Sequence, residues 1–477
     1  MSPSDTAANP AVNPAGSPAG NPMDPLIRLV TTTRYEDLPA AARERAATFF
    51  MDTIGVGIAG VRAPFRDQLI AVAGDWGAGG TVPVLGSATR LPPASAALVN
   101  GYQIHAQEFD CVYEPGVILP MAPLVSGILA HAAAKAARGE SVSGRALVTA
   151  LVVGLEVSCS LAGAARTAMK FFRPGPTGGF SALSAILSIE GADADFARRA
   201  YGILYSQICG SMQSHEEGSS MLAMQMGFNA RAAITAYDLA RAGFSGPVHI
   251  LDGRFGYFPV FETEGDLPAA WARLGDPWKV TQLSHKPFPS GRVTHGMAHL
   301  MLTLRQDEGL TAARVRRMHI GFPPLGFRLV GRPATDAMTP NYARLCTPYV
   351  GASALIRGSA GLADFLPDAV RDPALVELAR RVETAEFDWP DPNAFYPQRI
   401  TVERTDGRTT VHEVPYAWGH PQMPLSAAEN LAKFRDCLAF GGVDPDGARA
   451  RELTALLADP AACADLAALV SCLGSLR

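Results

Sequence analysis

Paired cysteines are missing from this sequence. Its seven cysteines, at 111, 159, 209, 346, 437, 463 and 472, stand singly, with no C-x-x-C and no matched spacing. That pattern gives neither a disulfide framework nor a cysteine zinc site, and a reduced cytoplasm is the expected compartment. A dominant charge is missing too. The formal net charge is −4, which offers no basic surface for nucleic acid or an anionic membrane. The longest apolar stretch, residues 146–165, carries Glu156 in its middle, so a buried helix is expected there rather than a membrane span. No basic segment followed by an apolar one opens the chain, and a signal peptide is not expected.

What is present describes a large soluble globular chain. With 477 residues, 48% of them hydrophobic and 18% charged, two or more domains are expected. Residues 1–22 are Ala, Asn, Pro, Ser and Gly with almost no large apolar side chain, so a disordered tail is expected. From about 23 to 274 apolar residues recur at three and four, and helices are predicted over 41–57, 118–137, 146–165, 179–189, 194–212 and 227–242. Gly139, Gly191 and Gly243 stand where their C-termini should fall. Several of these helices are apolar nearly all round, as in the interior of a bundle. Residues 275–415 have a different texture. Strands are predicted at 315–322, 399–404 and 409–414, the last two joined by a turn at Thr405-Asp406-Gly407-Arg408, with a helix over 349–363. Residues 416–477 turn helical again and are expected to return to the first bundle. There is no internal repeat. The fold class expected is mainly α, a large all-helical domain with a smaller α+β lid.

One stretch, Asn100 to Pro120, concentrates chemistry. It sets His105, Glu108, Asp110 and Glu114 between apolar flanks, where a buried charge is costly unless paired or functional. The plain alternative is a capped helix end using Asp110 or Glu114. Elsewhere His295 and His299 lie one helical turn apart, but without a third ligand they make no metal site. Gly253-Arg254-Phe255-Gly256 lacks a following phosphate-binding helix. Met212, Met221, Met224 and Met226 read as core, or as lining of an enlarged apolar pocket.

Several separated stretches resemble one family, MmgE/PrpD. They are Met51 to Val56, Asn100 to Pro120, Ser206 to Gly210, Ala242 to Pro247, Leu251 to Gly256, Lys286 to His295, Pro348-Tyr349-Val350 and Asp406-Gly407-Arg408. They fall in the family's order and cover nearly all of residues 26–440. The resemblance implies the helical domain and lid already described and a homodimer. It also implies proton transfer beside a carboxylate on a small acid, without metal or organic cofactor. In the acidic motif, His105-Ala106-Gln107-Glu108-Phe109-Asp110-Cys111, Glu108 stands where the family has Asp, and Cys111 replaces a further Asp. The resemblance gives Lys286, Arg292, His295 and Tyr349 places in the site. Lys286 precedes a proline, so its backbone should be extended, which suits a side chain projecting into a cleft.

The departures from the family pattern are as informative. The His of a His-Pro-x-Gly segment is here Glu114, and the His of an H-P-T-G-T segment has only Arg173 or Gly175 opposite it. A Lys has become Leu222 and a further His has become Gln225. These changes predict a substrate less anionic than citrate-type acids. The expected catalytic residues are Glu108, Asp110, Glu114, Lys286 and Tyr349, with His105, Arg173, Leu222, Gln225, Arg292 and His295 contacting substrate. His105 is read as structural, with its ring on a backbone carbonyl, in preference to catalytic. Glu114 is read either as an acid or base with a raised pKa, or as the partner of Arg173 or Lys286. The function expected is a lyase or isomerase. An epimerase or cyclising enzyme with the same proton chemistry, or a non-catalytic binding paralogue, remains as the alternative.

Overall fold

The computed structural model describes residues 20–476. The tail expected at 1–22 lies outside the described residues as far as residue 19. At its end, Asn21 donates from Nδ2 to the Val248 carbonyl at 3.0 Å.

The helical part is built on α1 (Ala40–Ala59), α2 (Pro93–His105), α3 (Met121–Ala137), α4 (Gly144–Gly163), α5 (Pro174–Glu190), α6 (Ala194–Tyr205) and α7 (Met221–Arg241). The expected stop signals act as predicted. Gly139, Gly191 and Gly243 follow α3, α5 and α7 with φ of 76°, 59° and 92°, the left-handed conformation that ends helices. α4 starts at the Ser143 side chain, which accepts from the Ala146 amide. It is long and apolar enough to cross a membrane, yet 89% of its most apolar window is buried inside the protein. Its Glu156 accepts from the Gly275 and Lys279 amides at 2.9 and 2.7 Å. The helix expected over 194–212 stops at Tyr205. Beyond it the Asn229 side chain takes over the Cys209 backbone, donating to its carbonyl at 2.8 Å and accepting from its amide at 3.3 Å.

Two helices that carry the site meet through glycine. A Cβ on Gly227 of α7 would stand 2.2 Å from the Leu98 carbonyl of α2, and one on Gly101 would stand 3.0 Å from the Gly227 Cα. Only glycine allows this approach. It fixes the C-terminus of α2, where His105 sits, against the N-terminal turn of α7, where Leu222 sits.

The α+β part holds α8 (His295–Glu308), α9 (Thr347–Arg357) and a four-stranded sheet of β1 (Val315–Phe322), β2 (Val382–Glu386), β3 (Gln398–Arg404) and β4 (Thr409–Val414), in the order β2-β1-β3-β4. β1 runs parallel to β2, with Met318 opposite Val382, and antiparallel to β3, with His319 opposite Thr401. The β3–β4 turn holds Gly407 at φ 86°, with the Asp406 side chain accepting from the Arg408 amide. α9 is shorter than the predicted 349–363 because Gly358, at φ 69°, ends it. β2 was not predicted. The helix α10 (Ala427–Phe440) returns to pack on α1. The fold is mainly α, with a large helical body and a smaller α+β part.

Candidate active site

The loop from Ala106 to Pro120 leaves α2 and is clamped from three sides. Val112 exchanges two backbone hydrogen bonds with Ser284, at 2.9 and 2.8 Å, which brings the Lys286 segment beside it. Lys433 of α10 donates to the Phe109 carbonyl at 2.9 Å, lies 3.9 Å from the Phe109 ring centroid and pairs with Asp52 of α1 at 2.7 Å. Arg173 donates from Nη1 to the Gly116 carbonyl at 2.9 Å. These clamps hold two residues in a conformation that L side chains rarely adopt: Glu108 at φ 50° and Val117 at φ 55°. For a β-branched valine this is a strained backbone, of order 1–3 kcal/mol. Both residues line the same cavity.

That cavity, of about 70 Å³, lies between the helical body and the sheet part. Its polar wall is His105, Glu108, His215, Lys286 and Arg292. Most of the remainder is apolar, including Val117, Met169, Phe172, Met212, Leu222 and Phe395. A second, smaller pocket shares His105, Glu108, Leu222 and Leu345 with it and adds Ser219 and Ser220.

The polar groups are paired. His105 Nδ1 lies 3.0 Å from Asp110 Oδ1, and His105 Nε2 lies 3.5 Å from Glu108 Oε1. Lys286 Nζ donates to Glu108 Oε2 at 2.9 Å and to the Glu108 carbonyl at 3.1 Å. Burial opposes charge on the His105 ring, but the carboxylates of Asp110 and Glu108 outweigh it and raise its pKa. Burial likewise pushes the Glu108 carboxyl up, yet Lys286 and His105 together pull it down to about 2. The result is Asp110, the His105 ring, Glu108 and Lys286 joined in one chain. His105 Nε2 itself has no hydrogen-bond partner. It lies beside the Glu108 carboxylate, and an incoming anion that displaces that carboxylate gains the hydrogen bond.

The structure revises several sequence expectations. The His105 ring meets the Asp110 carboxylate and not a backbone carbonyl. Glu114 accepts from Arg292 Nε and from the Ser284 hydroxyl, each at 2.7 Å, so its partner is neither Arg173 nor Lys286. Arg173 does not face the cavity. It is buried in a two-pronged pair with Glu262 at 2.7 and 2.9 Å, and it serves the loop through Gly116. Gln225 also turns away, bonding the Ser211 backbone. His295 lies behind Arg292, with Nε2 3.3 Å from the Ser290 carbonyl. Burial and Arg292 hold its pKa well below the usual imidazole value. Tyr349 belongs to the core of the α+β part, where its hydroxyl donates to the Asp364 and Ala369 carbonyls. Asp110 is fully buried and acts through His105. Of the eleven expected residues the cavity wall contains five: His105, Glu108, Leu222, Lys286 and Arg292.

His215 was not among the expected residues. It lies on the four-residue helix Gln213–Glu216 and lines the cavity with its Nε2 unpartnered. Burial, with Arg332 and Arg328 nearby, lowers its pKa to about 4.

The MmgE/PrpD N-terminal domain matches residues 25–269, and the MmgE/PrpD C-terminal domain matches residues 288–459. A cis-aconitate decarboxylase-like protein of Aspergillus oryzae is 27% identical over 469 residues, covering 94% of this chain and 96% of its own. Cis-aconitate decarboxylase of Aspergillus terreus is 24% identical, covering 88% and 89%. The mouse cis-aconitate decarboxylase is 26% identical, covering 82% and 81%. With both of its halves matched in order, the chain belongs to the MmgE/PrpD family.

Proposed function

We propose that this protein is a lyase that moves a proton beside the carboxylate of a substrate with one negative charge and an apolar body. The observation that carries this reading is the charge balance of the cavity. His105, Lys286 and Arg292 are the cations of its wall, and each is paired with a carboxylate: Asp110, Glu108 and Glu114. A tricarboxylate entering such a site would have to compete with these carboxylates for the wall's cations, at a desolvation cost of several kcal/mol per ion. A single carboxylate finds one open donor, His105 Nε2, with Lys286 beside it. The body of the substrate then lies among Met169, Phe172, Met212, Leu222 and Phe395, where each buried methylene contributes about 0.8 kcal/mol.

In this reading His105 and Lys286 hold the carboxylate and stabilise the negative charge that develops on it as the C–H bond breaks. Asp110 keeps the imidazole charged and oriented, and Glu108 spaces the two cations. These side chains supply the charge stabilisation without a cofactor. Relatives named cis-aconitate decarboxylases support a lyase. Leu222 and Glu114, where the family pattern has Lys and His, support a change of substrate. An epimerase would use the same groups, and the product separates the two. The test is incubation with 3-hydroxyhexanoate, 2-hexenoate, citrate and cis-aconitate in heavy water, followed by proton NMR. Exchange or turnover of the six-carbon monoacids ahead of the tricarboxylates supports the proposal. Preferential turnover of cis-aconitate or citrate refutes it.

A further inference from the structure

His105 is held between Asp110 and Glu108, and Glu108 is engaged by Lys286, so neither is a free base for a carbon acid. The cavity holds one polar side chain in the opposite state. His215 is 5% exposed, lines the cavity and has its Nε2 unpartnered. The Leu329 backbone bonds its ring. With Nε2 open, the bonded nitrogen is Nδ1, and the lone pair is left on Nε2. Burial keeps the ring neutral, helped by Arg332 and Arg328 from the segment that follows β1 and opposed by Glu108, which faces it from the α2 loop; Glu216 lies beside it on its own helix. Arg332 also donates to the His215 carbonyl, at 3.4 Å, and so holds the helix in place.

We propose that His215, through Nε2, is the catalytic base that removes the proton from the substrate carbon. The inference rests on the proton-transfer reading above. The C–H bond breaks, its proton goes to His215 Nε2, and its electron pair moves into the adjacent carboxyl, where His105 and Lys286 meet the charge. The imidazolium at 215 then exchanges its proton with solvent and returns a deuteron to the same carbon, or the leaving group departs and an alkene remains. Either course leaves His215 neutral again. A neutral imidazole has its lone pair available across the physiological range, and its lowered pKa trades base strength for that availability. The role also accounts for how the chain works with family imidazole positions replaced: the base, His215, lies 42 residues after Arg173 and 40 after Gly175, and within the same cavity.

The experiment compares wild type with His215→Asn and His215→Gln, using 3-hydroxyhexanoate in heavy water from pH 4 to 9. Circular dichroism and melting curves identify a variant that has not folded, and the other then carries the comparison. The proposal expects kcat for exchange to fall at least about 100-fold, with KM changed less than about threefold, and the acid limb of the wild-type profile to disappear. Unchanged kcat with the acid limb intact would overturn the assignment of His215 while leaving the proton-transfer reading standing. If wild type exchanges no probe, that reading fails, and nitrogen-15 NMR of histidine-labelled wild type decides the assignment. A His215 ring at pH 6 with its proton on Nδ1, whose Nε2 resonance moves on addition of 3-hydroxyhexanoate, supports it. A proton on Nε2 at pH 6, or a resonance indifferent to the acid, overturns it.

Discussion

The Asp110 carboxylate lies 3.0 Å from His105 Nδ1, fully buried, while the far nitrogen of the same ring makes no hydrogen bond and faces Glu108 at 3.5 Å. The pair fixes which nitrogen meets substrate and keeps the ring charged. Replacing Asp110 by Asn keeps the shape and removes the charge. The His105 pKa should then fall, because the largest influence raising it is gone, and exchange or turnover should drop by a factor of about 100 or more. Nitrogen-15 titration of His105 alongside the kinetics checks both.

The Lys286–Glu108 pair lies at the cavity wall, with side chains 1% and 15% exposed. Lys286→Ala leaves the Glu108 carboxylate without its ammonium, and breaking a buried pair from one side costs about 3–5 kcal/mol. Lys286→Met combined with Glu108→Gln removes both charges, and should recover most of that stability while remaining inactive. Urea denaturation of the single and double variants measures the difference.

Acid stability has a defined window. Glu108 titrates at about 2 in the folded chain against 4.5 for an ordinary glutamate. Its contribution is therefore present above 4.5 and is lost as pH falls through 2. His215 titrates at about 4 in the folded chain against 6.5. The unfolded chain binds its proton first, so this group also removes stability as pH falls from 6.5 towards 4. Each pKa unit corresponds to about 1.4 kcal/mol, so each group accounts for up to about 3 kcal/mol. His105 acts in the opposite sense: its raised pKa contributes stability below 6.5 that is lost as pH rises through the folded value. Melting temperatures should fall between pH 6.5 and 4 in wild type and fall less steeply in His215→Asn.

The glycine contact between α2 and α7 sets the width of the site. Gly227→Ala places a methyl group against the Leu98 carbonyl and should destabilise the protein by about 1–3 kcal/mol. It should also weaken binding of 3-hydroxyhexanoate through the displaced His105 and Leu222. Calorimetric melting and ligand-observed NMR read the two effects.

Much of the architecture was legible because it is local. The 3.6-residue apolar spacing gave α1, α3, α4, α5 and α7, glycine placed their ends, and Asp406-Gly407 placed the β3–β4 turn. β2 was not legible. Its sequence, Val-Glu-Thr-Ala-Glu, is a polar edge strand whose place comes from parallel pairing with β1. In the site, His105, Glu108 and Asp110 were visible as charges crowded between apolar flanks, and Lys286 by the proline after it. Arg173 was misplaced because its partner, Glu262, lies 89 residues away, and Tyr349 because a tyrosine facing core carbonyls reads the same as one facing a cleft. His215 sits in Ser-Glu-Gly-rich sequence that reads as a loop, and only the folding of that loop over the cavity reveals it.

The central claim is that the cations of the cavity wall are already paired and that the site takes one carboxylate. Leu222 lines both pockets, where the family pattern has Lys. Leu222→Lys should therefore add the missing cation. The most direct measurement is the Kd of 3-hydroxyhexanoate and of cis-aconitate for wild type and for this variant, by NMR titration at fixed salt. The account predicts that wild type binds the monoacid more tightly, and that Leu222→Lys tightens cis-aconitate at least about tenfold. Wild type binding cis-aconitate more tightly than the monoacid would contradict it.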